Sequence, residues 1–320
     1  MAKRGSGKRR PKRGRSSGAG RRLFLWGNLA VALAIGGWYV VQPPARQAEV
    51  RLLVGNAFEK DKRVSPWDVA WDLYQLYYSA DYIAVGPPAG DRTYAYAGLP
   101  RGGGARVLVN RAYVVGYGEA VANPLWSVYR IADVSPLPSA PERPERFEVD
   151  GRTVGRVAPD DYTNSGYDRG HLAPNYAIGT RYGAEAQRET FLMSNVIPQR
   201  HALNAGVWKE IEQDIATSYP ARFGEVWVIA GPIFGERPRR LSRRGPAIPE
   251  ACYMIVVDES DGRLRTMAFI FSEDTPSGTE ANHYLVSIDE VERRTGLDFF
   301  AELEDVAEAQ VEAQVASRVW

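Results

Sequence analysis

Seven short apolar runs lie between residues 107 and 271 of this 320-residue chain, and their length predicts strands rather than helices. Two helices are predicted among and after them, over residues 205–218 and from Ser287 to Thr295. No βαβ repeat is visible, so the fold class predicted is α+β. The runs span residues 107–109, 112–117, 126–131, 191–193, 226–231, 253–258 and 267–271.

An aromatic helix is predicted upstream of these strands. Ser65 suits an N-cap and Pro66 suits the first helical position. Apolar residues then recur at helical spacing, which is typical of a core or interface stripe, so we assign no chemistry to it. The stripe consists of Trp67, Ala70, Trp71, Tyr74, Tyr77 and Tyr78.

The amino end combines a basic segment with an uncharged one. Residues 3–22 are basic and lack large aliphatic side chains, which predicts disorder, and residues 23–41 are 19 uncharged residues. The flanking positive charge favours a signal anchor whose tail stays cytoplasmic, with the remaining chain across the membrane. A cleaved signal peptide and a mitochondrial presequence are the alternatives.

Charge and residue counts exclude several classes of function. Residues 1–48 carry 11 basic residues and no acid, which leaves 29 basic and 39 acidic residues in the body, a net charge of −10. This balance argues against a body that coats nucleic acid, although a local basic patch is compatible with it. The single cysteine, Cys252, excludes an intrachain disulfide and a zinc site built on cysteine pairs.

Two short patterns carry candidate chemistry. The stretch Asp168-Arg-Gly-His171 places an acid, a base and a histidine within four residues, and a histidine that is held in place can act as a general base. Asn204, Trp208 and Glu212 follow at intervals of four on the predicted helix. An amide oxygen with a nearby carboxylate suits Mg²⁺, which keeps most of its hydration shell.

Taken together, the motifs resemble the DNA/RNA non-specific endonucleases of the ββα-metal superfamily, which include secreted bacterial nucleases, DNA-entry nucleases and endonuclease G. The resemblance covers about Val107 to Phe300. It rests on five motifs in this order: GYGEAVANPLWSVYR, SGYDRGHLAP, TFLMSNVIPQ, Asn-x-x-x-Trp-x-x-x-Glu and VIAGPIFG.

The resemblance implies the ββα-metal nuclease fold, a mostly antiparallel central sheet flanked by helices, here preceded by one transmembrane helix. It also implies Mg²⁺, with Mn²⁺ as a substitute, and DNA and RNA as substrates. The implied roles are His171 as general base, Asn204 as metal ligand, Glu212 as orienter of metal-bound water, Asp168 as support for the active-site loop, Arg143 as phosphate contact with Arg146 as fallback, and Arg169, Asn195 and Gln199 as supporting residues.

One family position differs, because an arginine one turn after the glutamate is often present and Ala216 occupies that position. The loop 237–244 carries five arginines and could form a substrate-binding patch, for which Arg239 and Arg240 are candidates. A solvated variable loop is the alternative.

The predicted function is a membrane-anchored, metal-dependent endonuclease that cleaves DNA and RNA without sequence specificity. The predicted location is the bacterial inner membrane with the nuclease domain outside the cytoplasm. The alternatives are a membrane-bound nucleic-acid receptor with a weakened site and a mitochondrial enzyme. A homodimer is one alternative for the oligomeric state.

The predicted domains are a tail (1–22), an anchor (23–41), a linker with the aromatic helix (42–104), the endonuclease domain (105–303) and a C-terminal tail (304–320).

Overall fold

The computed structural model describes residues 18–59, 62, 64–86, 90–134 and 136–320. The chain divides into two compact units, Met1–Glu49 and Val50–Trp320. The first unit contains α1 (Gly18–Val40) and the beginning of α2 (Pro44–Ala57).

The amino-terminal predictions are not supported where the structure describes the chain. Of the tail predicted to be disordered at 1–22, residues 1–17 lie outside the described residues and residues 18–22 begin α1. A helix needs roughly 20 mostly apolar residues to cross a bilayer. Among the residues that the structure describes, no helix is long and apolar enough to do so. The transmembrane anchor predicted at 23–41 is therefore not supported.

The second unit combines helices, strands and three short 3-10 turns (Pro159–Tyr162, Met193–Asn195 and Ala281–Tyr284). Its helices after α2 are α3 (Pro66–Tyr78), α4 (Asn175–Tyr182), α5 (Ala184–Glu189), α6 (His201–Asn204), α7 (Val207–Ala216), α8 (Ser218–Phe223), α9 (Ile288–Thr295) and α10 (Asp305–Ala313). Its strands are β1 (Ile83–Ala84), β2 (Arg101–Gly102), β3 (Arg106–Val109), β4 (Tyr113–Gly118), β5 (Asn123–Ala132), β6 (Asp168–His171), β7 (Val196–Gln199), β8 (Glu225–Ile233), β9 (Ala251–Ser260), β10 (Arg263–Ser272), β11 (Leu285–Val286) and β12 (Leu297–Asp298).

An antiparallel sheet forms the centre of this unit. Its strand order is β1-β10-β9-β8-β5-β4-β3, and β11 pairs with β10. Two further pairs, β6 with β7 and β12 with β2, lie outside the sheet. The predicted antiparallel sheet flanked by helices is confirmed.

One predicted strand is wrong. Residues 191–193 lead into the turn Met193–Asn195, and Leu192 makes only an isolated bridge with Glu148. Phe191 and Met193 are nonetheless buried. Their apolar character therefore reflects core packing, which a short run does not distinguish from a buried strand.

The sheet is covered on both faces, because successive side chains of a strand point to opposite sides. On β8, Val226, Val228 and Ala230 join one hydrophobic core, whereas Trp227 and Ile229 join the other. Helices α4 to α8 contribute to the first core, and α9 and α10 contribute to the second.

The aromatic helix packs into this unit. Ser65 caps α3, since its side chain accepts a hydrogen bond from the Asp68 backbone and the Asp68 side chain accepts one from the Ser65 backbone. Asp72 forms a two-pronged ion pair with Arg222 of α8, with both nitrogen–oxygen distances at 2.7 Å. The segment predicted as a linker is thus tied to the core.

The carboxyl end is also packed. Residues 304–320, predicted as a tail, contain α10, and Trp320 is buried with its ring 4.3 Å from the Arg265 guanidinium carbon. The compact unit therefore extends beyond the predicted domain 105–303 at both ends.

Candidate active site

The strand pair β6–β7 fixes the backbone of the Asp168–His171 motif. Asp168 pairs with Gln199, and His171 pairs with Val196. Gly170 lies directly beneath the buried Gln199 side chain, because a Cβ at Gly170 would be 2.0 Å from Gln199 Oε1. The glycine of the motif is therefore required for this close approach.

A buried asparagine holds the chain immediately after His171. Asn195 Oδ1 accepts a hydrogen bond from the Ala173 backbone N–H at 2.9 Å, and Asn195 Nδ2 donates to the carbonyls of Ala173 and Thr190, each at 3.0 Å. The Asn195 carbonyl also accepts from the Leu172 N–H at 3.0 Å. These four bonds restrain the backbone that carries His171.

His171 lies between two aromatic rings. The centres of the Phe147 and Phe191 rings are 5.2 and 5.0 Å from the centre of its imidazole. Burial, reinforced by the nearby Arg143 guanidinium, lowers the pKa of His171 to about 3. The imidazole is thus neutral at physiological pH, and its buried Nε2 has no hydrogen-bond partner within the described chain.

Asp168 connects the motif to the segment that follows β7. Its Oδ2 accepts a hydrogen bond from Asn204 Nδ2 at 3.0 Å and lies 2.8 Å from Nδ1 of the exposed His201. Because the amide nitrogen of Asn204 is held in this way, the orientation of its amide oxygen is fixed.

Glu212 enters the site from α7. Trp208 Nε1 donates a hydrogen bond to Glu212 Oε1 at 3.0 Å. Burial raises the pKa of Glu212 to about 8, while the Trp208 hydrogen bond and Lys209 oppose this shift. The structure differs from the predicted helix 205–218. Helix α6 ends at Asn204, and Glu212 belongs to the separate helix α7, which ends at Ala216.

A polar cleft of about 470 Å³ brings together five of the eleven predicted site residues: Arg143, Arg169, His171, Asn204 and Glu212. Its walls are formed by Arg143, Arg169, His171, Pro174, Asn175, Tyr176, Ala177, Asn204, Ala205, Lys209, Glu212 and Gln213. Lys209 and Gln213 were not among the residues predicted from the sequence. Their one-turn spacing on the helix that carries Glu212 was the available signal.

The remaining predicted arginines lie outside these walls. Arg146 is exposed. Arg240 Nη1 donates to the Gly245 carbonyl at 2.9 Å and Nη2 donates to the Ala120 carbonyl, so its guanidinium anchors its own loop. Arg239 lines a different cleft of about 410 Å³.

Ala216 is buried in the first core. Its carbonyl accepts a hydrogen bond from Arg181 Nη2 at 2.7 Å. Arg181 also binds the Ala132 carbonyl through Nε at 2.8 Å, so its guanidinium is engaged with the backbone.

The side-chain oxygens in the cleft are suitable ligands for a hard divalent cation. The Asn204 amide oxygen and the Glu212 carboxylate are oxygen ligands of the kind that Mg²⁺ prefers. Among the described residues, groups of three or more converging carboxylate, imidazole or thiolate ligands occur only near α9 and α10. A cation in the cleft would thus keep much of its hydration shell.

Comparisons with known proteins show which family this chain is similar to. The sequence model described as DNA/RNA non-specific endonuclease matches residues 90–306. The chain is 28% identical over 226 residues to a nuclease of Serratia marcescens, covering 68% of this chain and 84% of that protein. It is 27% identical over 227 residues to human mitochondrial endonuclease G, covering 63% of this chain and 71% of that protein.

A solved structure shares the fold. The crystal structure of an EndoG/EndoGI complex, described as showing the mechanism of EndoG inhibition, superposes with a TM-score of 0.55 at 24% identity. The match covers 66% of this chain and 89% of that chain.

Proposed function

The chain belongs to the DNA/RNA non-specific endonuclease family, and on that premise we propose that it hydrolyses internal phosphodiester bonds of both DNA and RNA. The observation that carries the proposal is the neutral His171, whose unpartnered Nε2 shares a polar cleft with Arg143, Asn204 and Glu212.

His171 is the proposed general base. Its lowered pKa keeps the imidazole unprotonated, so Nε2 can accept a proton from a water molecule that attacks phosphorus. Phe147 and Phe191 flank the ring and limit its rotation. The bonds made by Asn195 hold the following backbone and so keep the base in position.

Arg143 is the proposed electrostatic partner of the scissile phosphate. It is exposed on the wall of the cleft, and its guanidinium carbon lies 5.1 Å from the centre of the Phe191 ring, beside His171. A guanidinium can bind two phosphate oxygens and stabilise the negative charge that builds up during displacement. Arg169 and Lys209 add positive charge to the same walls.

Asn204 and Glu212 are the proposed holders of a divalent cation, with Asn204 as the direct ligand. Mg²⁺ is the expected ion and Mn²⁺ a substitute, since both accept oxygen ligands. When bound, such an ion supplies Lewis-acid stabilisation of phosphoryl charge. Asp168 orients Asn204, and Glu212 must lose its proton to contribute a negative charge to the site.

The proposed lack of sequence specificity follows from the groups in the cleft. Arginine, lysine and a cation address phosphate oxygens, which are the same in every nucleotide. Affinity should therefore be similar for different sequences and fall steeply with salt concentration.

The test uses the full chain with supercoiled plasmid DNA and with single-stranded RNA, in Mg²⁺ or in EDTA. His171→Ala should reduce turnover by about 10²- to 10⁴-fold and leave substrate binding intact, whereas exposed His283→Ala should retain activity. Full activity of His171→Ala, or cleavage that is unaffected by EDTA, would contradict the mechanism. Salt-sensitive binding by the unaltered chain without any cleavage would favour the nucleic-acid receptor.

The cellular location is proposed on different grounds. Endonuclease G and the nuclease EXOG among the relatives are described as mitochondrial, which supports the mitochondrial alternative. The acid-free, arginine-rich amino end also fits a mitochondrial presequence. Residues 1–48 fused to a fluorescent reporter should direct it to mitochondria in a eukaryotic cell; diffuse fluorescence would contradict this location.

A further inference from the structure

The arginine-rich loop 237–244 forms one wall of a second cleft. This cleft of about 410 Å³ is lined by Arg237 and Arg239 of the loop and, on the opposite side, by Tyr167 and Arg200. We call it the arginine cleft. None of these arginines takes part in the hydrolytic steps proposed above, so their positive charge needs a separate explanation.

The loop has a fixed backbone. Arg240 forms an isolated antiparallel bridge with Ala247, and its guanidinium donates hydrogen bonds to the carbonyls of Gly245 and Ala120. The Ala247 carbonyl in turn accepts a hydrogen bond at 2.9 Å from Nδ2 of the buried Asn123, the first residue of β5. The loop is thus anchored to the core, which does not fit the alternative of a solvated variable loop.

The anchored loop directs two arginines into the cleft. Arg240 is bonded to backbone carbonyls, whereas Arg237 and Arg239 line the arginine cleft. In an extended segment, adjacent side chains point to opposite sides and side chains two apart point to the same side. Arg237 and Arg239 are exposed, and neither forms an ion pair within the described part of the chain.

Three acids also line the arginine cleft, and each already has a partner. Glu250 pairs with Arg294 at 2.9 Å. Glu273 is buried, burial raises its pKa, and its Oε2 accepts a hydrogen bond from the Arg200 backbone N–H at 2.6 Å. Asp274 lies 3.5 Å from Arg200 Nε, and such exposed pairs contribute little. The two loop arginines are therefore available to an anionic ligand.

The arginine cleft lies close to the nuclease cleft, which contains His171 and Asn204. Tyr167 directly precedes β6, which ends at His171, and Arg200 lies four residues before Asn204. Four strand residues at about 3.3 Å each separate Tyr167 from His171 by about 13 Å. One strand of a duplex rises about 3.4 Å per nucleotide, so about four nucleotides cover this distance. A single nucleic-acid strand can thus occupy both clefts.

We propose that the arginine cleft binds phosphates of the substrate strand beyond the scissile bond, with Arg237 and Arg239 as the contacts. A guanidinium binds two phosphate oxygens at once. The Arg200 guanidinium carbon lies 5.3 Å from the centre of the Tyr167 ring, and this pair provides a surface on which an unpaired base can stack. The inference rests on the proposed function, because it concerns the same substrate.

The test measures binding of a DNA strand of about 20 nucleotides to the full chain, in EDTA, at several salt concentrations. In Arg237→Ala/Arg239→Ala, binding should weaken roughly tenfold. The slope of log affinity against log salt concentration should become shallower by about 1.4, because two contacts worth about 0.7 each are lost. Thermal unfolding should give an unchanged Tm, since both side chains are exposed and unpaired within the described chain.

A second double variant provides the matched control. Arg243→Ala/Arg244→Ala removes the same charge from exposed positions of the same loop that do not line the cleft, so it should leave the salt slope nearly unchanged. An unchanged slope in Arg237→Ala/Arg239→Ala, or equal losses in the two double variants, would overturn the proposal.

Substrate length gives an independent measurement. The kcat/KM of the unaltered chain should fall between substrates of about eight and about three nucleotides, because the shorter one cannot reach both clefts. Arg237→Ala/Arg239→Ala should depend less on length, and an equal dependence would contradict the proposal. Absence of cleavage by the unaltered chain in Mg²⁺ would refute the proposed function, whereas the salt slopes would still decide whether the arginine cleft binds phosphate.

Discussion

Asp168 Oδ2 accepts a hydrogen bond from Asn204 Nδ2 at 3.0 Å, which joins the strand that carries His171 to the short helix α6. The two residues are separated by 36 positions in the sequence. Asp168 therefore acts on the orientation of the Asn204 amide, while β6 places His171 in the same cleft.

Removing the Asp168 carboxylate should raise the Mg²⁺ requirement. In Asp168→Ala the Asn204 amide loses its anchor, and loss of such a supporting hydrogen bond typically costs 10- to 100-fold in metal affinity. The measurement is activity against Mg²⁺ concentration. His201→Ala, which removes the other partner of Asp168, should have a much smaller effect. An unchanged Mg²⁺ requirement in Asp168→Ala would show that Asn204 is oriented by other contacts.

Arg143 and Arg146 provide a matched pair, since both are exposed arginines of one loop and Arg143 is the one that lines the cleft. Arg143→Ala should lower kcat by about 10²-fold, because transition-state charge loses a donor. Arg146→Ala removes the same formal charge and should leave kcat nearly unchanged. The measurement is kcat for each variant on one DNA substrate at fixed ionic strength; equal losses would indicate a general electrostatic effect instead.

Gly170→Ala should destabilise the protein by about 1–3 kcal/mol, because its Cβ would collide with Gln199. Denaturant unfolding measures the loss. The double variant with Gln199→Ala should recover part of it by making space. Gly155→Ala, whose Cβ would be an ordinary 3.9 Å from Ala122, serves as a control with little expected effect.

His171 should make the protein less stable in acid. Its folded pKa of about 3 lies below the ordinary value of 6.5, so between these pH values only the unfolded state takes up the proton. Stability should then fall as pH is lowered, by up to about 1.4 kcal/mol per pH unit. His171→Gln should remove this slope from unfolding free energies measured between pH 6.5 and pH 3. Exposed His283→Gln should retain it.

The buried pair Asp72–Arg222 should be essential for docking α3. Both side chains are 2% exposed, so Asp72→Asn leaves Arg222 buried with a neutral partner and should cost about 3–5 kcal/mol. The double variant Asp72→Leu/Arg222→Met should cost less, because no charge stays buried. Chemical denaturation of the single and double variants measures the coupling; strictly additive losses would mean that the pair does not interact energetically.

Local patterns allowed much of the fold to be predicted. Six of the apolar runs coincide with strands of the sheet, since period and length are properties of neighbouring residues. The cap at Ser65 and the start of α9 at Ser287 were also readable, because the capping groups lie three residues apart. The helix break at Gly206 was missed. In the structure a Cβ at this position would lie 2.4 Å from the Ala202 carbonyl oxygen, a contact that the sequence does not reveal.

The sequence indicated candidate site residues but not their arrangement in space. The sequence identified His171, Asn204 and Glu212 through a resemblance of motifs, and the structure places all three in one cleft. It ranked Arg143 above Arg146 only through that resemblance, and it did not reveal that Arg240 is bound to backbone carbonyls. Such distinctions depend on contacts between residues far apart in the chain.

The sequence by itself determined the elements and the chemical groups available, because helix caps, strand alternation and the Asp168–His171 motif are local. Only the tertiary structure decided which charges are buried. It brings Asp72 to Arg222, removes water from His171 and Glu212, and places four other acids near Glu312. The physical reason is that desolvation and Coulomb energies depend on distances in space, which sequence separation does not fix.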